Sequence, residues 1–286
     1  MIHHLKRSFT TFLLTLVMCG SALASDDIIY HNQERGSVSL GVEVNSGKYG
    51  TPNTITGVYM PLILTWFPTS RIDLGVEIPF VYQNTSYTTV GTSQTSVPVS
   101  TRRGARGIMR TSSPTSTTTS GSADSSASGL GDLIFRAGVI AYFESDYVPQ
   151  LRPSVYVKAP TADETEGLGT GEIDAGAGIE ASKWIGNTHL TGEMFYNYQG
   201  KVAGLGLKNY FNYSAGAGYQ ITDQLQPMVL VKGSTATSSN LEAPLELRAR
   251  LLWTMSKAAT LDMFVAHGLS DSSPEYSGGV AMIYSF

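Results

Sequence analysis

Alternation with a period of two dominates the chain from residue 37 onward. The clearest case follows Arg71, where Ile72, Leu74, Val76, Ile78, Phe80 and Tyr82 alternate with Asp73, Gly75, Glu77, Pro79, Val81 and Gln83. Successive side chains of a strand point to opposite faces, so one face is apolar and the other mostly polar or small. Leu247, Ala249, Leu251 and Trp253 repeat the pattern against Glu246, Arg248 and Arg250, with every charge on one side. Twelve such segments are expected: 37–45, 55–67, 71–83, 131–143, 149–160, 173–184, 188–199, 208–220, 225–233, 244–255, 260–269 and 276–286. Most match the ~9–11 residues with which a tilted strand crosses a bilayer.

The connections alternate short and long. Pro68–Ser70, Glu144–Val148, Ile185–Asn187, Ile221–Gln224 and Ser256–Ala259 are short; 46–54, 84–130, 161–172, 200–207, 234–243 and 270–275 are longer. Outer-membrane barrels have short periplasmic turns and longer outside loops. In hydrocarbon the backbone must satisfy its own N–H and C=O groups, which only helices and closed sheets do. No segment offers the ~18 consecutive apolar residues of a transmembrane helix. The expected fold class is all-β: a transmembrane antiparallel up-and-down β-barrel of about twelve strands.

Alternation also assigns faces. Leu133, Phe135, Ala137, Val139, Ala141 and Phe143 are expected to face lipid, with Asp132, Ile134, Arg136, Gly138, Ile140 and Tyr142 turned inward. Lipid-facing Arg or Lys near the midplane costs roughly 2–4 kcal/mol, so charges keep to the inner parity. The lumen-lining candidates are Glu77, Arg136, Arg152, Lys158, Glu180, Glu193, Glu246, Arg248 and Arg250, joined by Asp174, Lys232 and Asp262. These acids and bases either pair across the lumen and fill it, or in part line a permeation path. Pro61, Pro79, Pro153 and Pro227 lie inside strands and are expected near strand ends or at bulges, because proline removes a ladder donor. Parity in 55–67 stays open, since Leu62, Ile63 and Leu64 are all apolar.

Trp66, Trp184 and Trp253 each fall at the end of a strand descending to the periplasm. They are expected to form an aromatic belt with Tyr142, Phe143, Tyr284 and Phe286, where an apolar ring with a polar tip is favoured. Tyr82, Tyr198, Tyr210 and Tyr276 fall near the opposite rim. Tyr276, Val280, Met282, Tyr284 and Phe286 share one face, and this terminal strand resembles the signal read by the machinery that inserts outer-membrane barrels.

The N-terminus supplies the address. Lys6 and Arg7 precede an apolar run, Phe9 to Val17, and Ala22-Leu23-Ala24 makes an A-x-A cleavage site: the layout of a signal peptide over residues 1–24. Cys19 offers lipidation as an alternative, but Met18 is a poor fit before a lipid-modified cysteine. Beyond residue 24 the chain has no cysteine and so no disulfide. The expected domain is a single barrel over 25–286, located in the outer membrane of a Gram-negative cell. A formal charge of −4 argues against nucleic acid as a partner.

Two loops carry further candidates. Residues 84–128 are Ser/Thr-rich, too apolar-poor to fold alone, and include Arg102, Arg103, Arg106 and Arg110. This extracellular loop is expected to be a solvated segment, with folding into the barrel mouth or contact with anionic lipopolysaccharide as the alternative. Asp163, Glu164 and Glu166 form an acidic loop whose spacing matches no calcium motif, so a turn is favoured over a cation site. A rim hydrolase built on His267 and Ser270, Asp271, Ser272 or Ser273 is conceivable, yet no nucleophile elbow or metal-ligand spacing is present. No enzyme activity, catalytic residue, metal or cofactor is expected.

Ser128-Gly129-Leu130-Gly131-Asp132-Leu133, then Val157-Lys158-Ala159-Pro160-Thr161-Ala162-Asp163, then Gly167-Leu168-Gly169-Thr170-Gly171 and Asp174-Ala175-Gly176-Ala177-Gly178 form an ordered series. It resembles the outer-membrane "transporter" family linked to the meta-pathway of phenol degradation, with Ala162 where the family has glycine. The resemblance implies a barrel and uptake of small hydrophobic or aromatic compounds; it brings no catalytic residues. The expected function is passive passage of small solutes through the barrel. A structural or interaction role through loop 84–128 is the alternative, and an outer-membrane hydrolase comes third. The partners expected are lipid and lipopolysaccharide, a small-molecule solute and the insertion machinery.

Overall fold

The computed structural model describes residues 35–49, 54–84, 88–100, 106–117, 126–164, 166–202, 206–238 and 242–286. The expected signal peptide, Cys19, Arg102 and Arg103 lie outside them.

The described residues form an antiparallel sheet that closes on itself. Its strands are β1 (Gly36–Gly47), β2 (Ile55–Trp66), β3 (Ile72–Gln83), β6 (Ala127–Leu130), β7 (Leu133–Val139), β8 (Gln150–Ala159), β9 (Asp174–Ile185) and β10 (Thr188–Tyr198). β11 (Tyr210–Tyr219), β12 (Leu225–Ser234), β13 (Leu245–Thr254), β14 (Ala259–Gly268) and β15 (Tyr276–Ser285) complete the wall. Each strand pairs with its sequence neighbours, and β1 pairs with β15, Val38 opposite Tyr284, to close the circle. β6 and β7 pair with the two halves of β3, so they occupy one position and the barrel has twelve strands. The C-terminus is sewn in by Gly36 N donating to Phe286 O at 3.1 Å and Phe286 N donating to Gly36 O at 3.0 Å.

Burial alternates along the strands as the sequence period requires. Leu40, Phe135, Met194, Val229 and Val265 point outward and stay exposed, Val265 at 65%. An apolar exterior around a charged interior inverts the rule for water-soluble proteins and matches a wall solvated by lipid. Parity in β2 is settled as well: Ile63 is buried inside and Leu64 is exposed outside.

Each proline sits where a ladder stops or breaks. Pairing of β11 with β12 ends at Met228, the residue next to Pro227. The β1–β2 ladder skips Met60 and Pro61. Opposite Pro79 the chain inserts an extra residue at Gly131–Asp132, because Leu130 faces Phe80 while Ile134 faces Glu77. Pairing of β7 with β8 stops at Ser154, next to Pro153, and resumes at Tyr142 opposite Leu151 with a second extra residue. There both Ala141 N and Tyr142 N donate to Leu151 O, at 2.9 and 3.3 Å. A bulge of this kind turns the following side chain to the other face. Tyr142, expected inward, is therefore 61% exposed.

The long connection between β3 and β6 holds a separate hairpin, β4 (Thr88–Ser100) with β5 (Arg106–Thr117). Its many β-branched threonines and valines favour strand pairing within the segment expected to be solvated. Arg106 and Arg110 lie on β5.

Candidate functional site: the barrel interior

The structure turns all nine lumen-lining candidates inward, together with Asp174, Lys232 and Asp262. All but Arg136 are buried, and the Arg136 side chain is 12% exposed. Glu43, Asp73 and Asp132 join them on the inner face. Desolvated charges need partners, and the interior is organised around those pairings.

At the long-loop end, Lys158 Nζ lies 2.9 Å from Asp132 and 2.7 Å from Asp174. Asp132 also accepts from Ala162 N at 3.0 Å, and Asp174 accepts from Gly200 N at 2.9 Å. Leu133 N donates to Thr161 Oγ1 at 2.9 Å. Gly169 passes so close that a Cβ there would meet Ala162 Cβ at 2.8 Å and Asp132 Oδ1 at 3.0 Å, so a side chain would force the loop to shift. Leu168 packs on Tyr59, Val81 and Ala127, all inward-facing. The motifs Ser128–Leu133, Val157–Asp163, Gly167–Gly171 and Asp174–Gly178 thus build one object: the β8–β9 loop folded over the inner wall and held on an Asp–Lys–Asp triad. The bulge opposite Pro79 is what places Asp132 in it.

Nearer the short-turn end, Arg152 spans two carboxylates. Its Nε donates to Asp73 Oδ1 at 2.9 Å, its Nη2 binds Asp73 Oδ2, and its Nη1 donates to Glu180 Oε1 at 2.6 Å. Gly138 leaves the space that this guanidinium fills, since a Cβ would meet Arg152 Nε at 2.7 Å. Arg136 Nη2 lies 2.8 Å from Glu77 Oε2, and the Tyr59 hydroxyl donates to the same carboxylate. On the opposite wall Arg250 grips Asp262 through Nε at 2.9 Å and Nη2 at 3.2 Å. Arg248 Nη2 lies 2.7 Å from Glu246 Oε1, with its guanidinium carbon 3.8 Å from the centre of the Phe264 ring. Beyond β1, burial and the carboxylates of Glu43 and Glu246 push the Tyr49 phenol above its ordinary range, so it stays a protonated donor.

The interior also holds apolar groups that alternation did not reveal. Met228, Leu230, Leu252 and Ile283 form a buried inward cluster at the short-turn end, and Ile134, Tyr156 and Phe195 form another. In β12 and β13 both faces carry apolar residues, so hydropathy alone could not separate them. The register to Arg248 and Arg250 was the available signal.

The aromatic candidates divide. Trp66, Trp253, Tyr284 and Phe286 are outward and exposed near the short-turn end, as are Tyr142 and Phe143. Trp184 is not on that face. It shares the unbroken parity of Glu180 and Ser182, points inward, and stacks on buried His189 with centroids 4.5 Å apart at 16°. Tyr210, expected among the rim aromatics, is likewise inward and buried.

The acidic loop is a turn: Gly167 N donates to Glu164 O at 3.1 Å and Leu168 N to Asp163 O at 3.1 Å. Among the described residues no group of His, Cys, Asp and Glu could hold a metal. His267 is outward; its Nδ1 meets Glu275 O at 2.8 Å. Ser270 and Ser273 bond each other at 3.0 Å, and Ser273 Oγ donates to Leu245 O at 2.8 Å.

The profile of the family described as "Putative MetA-pathway of phenol degradation" matches residues 35–286. The chain belongs to that family. Its fold resembles an outer membrane channel from Pseudomonas putida F1, at 13% identity and a TM-score of 0.61, covering 92% of this chain and 100% of that one. It also resembles the KdgM porin, at 9% identity and a TM-score of 0.53, covering 87% and 99%. A second structure of that porin, in complex with disordered oligogalacturonate, aligns at 8% identity and a TM-score of 0.52, covering 87% and 99%. At such identities the likeness is one of fold. No curated protein sequence matches the chain.

Proposed function

We propose that this protein is an outer-membrane channel that passes small solutes, hydrophobic or aromatic ones among them, down their gradient through the barrel. The observation that carries the reading is the inner wall itself: salt-bridged charges share the lumen with the apolar cluster Met228, Leu230, Leu252 and Ile283. Twelve strands enclose more space than the eight-stranded kind that side chains fill. Family membership and likeness to channel folds support the same reading. Because most of the inner charges are buried in pairs, the path is narrow and side-chain-lined, unlike a wide water-filled pore.

Export by the 1–24 signal peptide, insertion through the terminal strand ending at Phe286, and an outer belt of Trp66, Trp253 and Tyr284 at the headgroups belong to the same proposal. No chemistry is needed for passive passage, so the reading assigns no catalytic residue. Proteoliposomes test it: purified protein should speed entry of a small neutral aromatic such as benzyl alcohol over empty vesicles. Equal rates in loaded and empty vesicles would refute it.

A further inference from the structure

The short-turn end of the lumen contains buried hydrogen-bond donors with nothing to donate to. Trp184 Nε1, the ring nitrogens of His189, Gln226 Nε2 and Arg250 Nη1 are all buried and, among the described residues, have no hydrogen-bond partner. His189 is 1% exposed, Gln226 and Arg250 3% each.

The ladder brings them together. Trp184 pairs with His189, His189 with Gly218, Gly218 with Met228 and Met228 with Arg250, one row across β9 to β13. Paired side chains lie roughly 5 Å apart. Gly218 has no side chain to separate its neighbours, and Gln226 Nε2 leans into that gap, 3.1 Å from where a Cβ would stand. Arg250 is the charge that acts on His189. Its Nε and Nη2 are committed to Asp262, which leaves Nη1 on the other side of the guanidinium.

A buried donor without an acceptor is costly, and the cost is largest for a charged one. Tryptophan and arginine can only donate, a glutamine amide nitrogen only donates, and neutral imidazole donates from one nitrogen. The set therefore calls for acceptor oxygens. The same row contains an aromatic stack, Trp184 on His189, and Met228 of the apolar cluster; Leu252 of that cluster pairs with Gln226. An acceptor head beside a flat apolar wall fits one kind of molecule.

We infer that the Trp184–His189–Gln226–Arg250 cluster is a binding subsite for the carboxylate of a small aromatic acid. The carboxylate accepts from Arg250 Nη1 and Gln226 Nε2, on the neighbouring strands β13 and β12, while the ring lies along Met228 and Leu252 toward the Trp184–His189 stack. The subsite rests on the channel reading and gives it a solute class: aromatic carboxylates pause here at the narrow inner end.

Benzoate is the probe, with toluene as its acceptor-free control, titrated into purified full-length barrel in detergent and followed by Trp fluorescence and calorimetry. Saturable benzoate binding is expected, with affinity lowered about tenfold or more in Gln226→Leu and little changed in Trp184→Phe, which keeps a ring on His189. Toluene should show no acceptor-dependent binding, its affinity unchanged by Gln226→Leu. Absence of saturable benzoate binding to the wild-type barrel overturns the subsite even if a variant fails to fold. So does benzoate binding that Gln226→Leu leaves unchanged, since water alone then satisfies these donors. Benzyl alcohol uptake separates the two readings: uptake without benzoate binding removes the subsite and keeps the channel; benzoate binding without any uptake removes the channel and keeps the subsite.

Discussion

Glu193 stands directly opposite Glu180 across the β9–β10 ladder, and both carboxylates point into the barrel. Glu180 is held by Arg152, 2.6 Å away. Both carboxylate oxygens of Glu193 are buried and, among the described residues, have no hydrogen-bond donor. The two acids are chemically alike and energetically opposite: one completes an ion network, the other is a buried acid with no donor beside it.

Glu193→Gln is therefore expected to leave the barrel as stable or to stabilise it by up to about 1 kcal/mol, since it replaces an acid that faces Glu180 directly across the ladder. Glu180→Gln is expected to destabilise it by roughly 1.5–3 kcal/mol through loss of a charge-assisted bond to Arg152. Urea unfolding in lipid vesicles reads both. Equal destabilisation by the two changes would show that Glu193 has a partner it needs.

Asp132 ties the β8–β9 loop to the wall through Lys158 and Ala162 N. Asp132→Ala should cost roughly 3 kcal/mol, because it breaks a buried ion pair and leaves Lys158 with Asp174 as its remaining carboxylate. The loop should then lift off the inner wall. Limited proteolysis checks this: faster cleavage within 161–173 is expected, and unchanged cleavage would mean that other contacts, such as those of Leu168, hold the loop.

Gly186 occupies the two-residue turn between β9 and β10 with φ +61, and nothing lies within 4 Å of where a Cβ would project. Only backbone strain then opposes substitution. Gly186→Val is expected to cost about 1–2 kcal/mol. Gly186→Asn should cost clearly less, because asparagine tolerates the left-handed region. Thermal unfolding of the two variants against wild type makes the comparison.

How far these features can be read from the sequence depends on whether alternation runs unbroken. Along β3 and β13 every charge falls on one face, so strand, face and inner candidates such as Glu77 and Arg250 follow from period two alone. Around β6–β8 they do not. Pro79 and Pro153 force extra residues at Gly131–Asp132 and beside Ala141, and each extra residue reverses the faces beyond it. Unbroken alternation from Asp132 puts Tyr142 inward, and the bulge beside Ala141 turns it out. Trp184 failed differently: a tryptophan near a strand end suggests a belt, yet its even spacing from Glu180 already placed it inside. Hydropathy cannot show that Met228 and Leu252 face inward either, because an inner wall that tolerates apolar groups looks like an outer one.

The exterior decides whether this wall meets lipid. Val265 lies in the middle of β14, outward and 65% exposed. Val265→Arg is the most direct measurement, made by reversible unfolding from lipid bilayers. If the barrel spans the membrane, the arginine should destabilise it by roughly 2–4 kcal/mol, while an inward, already charged position such as Asp262 leaves the lipid face untouched. A change within about 0.5 kcal/mol, the usual range for a water-exposed surface site, would contradict the membrane-spanning barrel and the solute path with it.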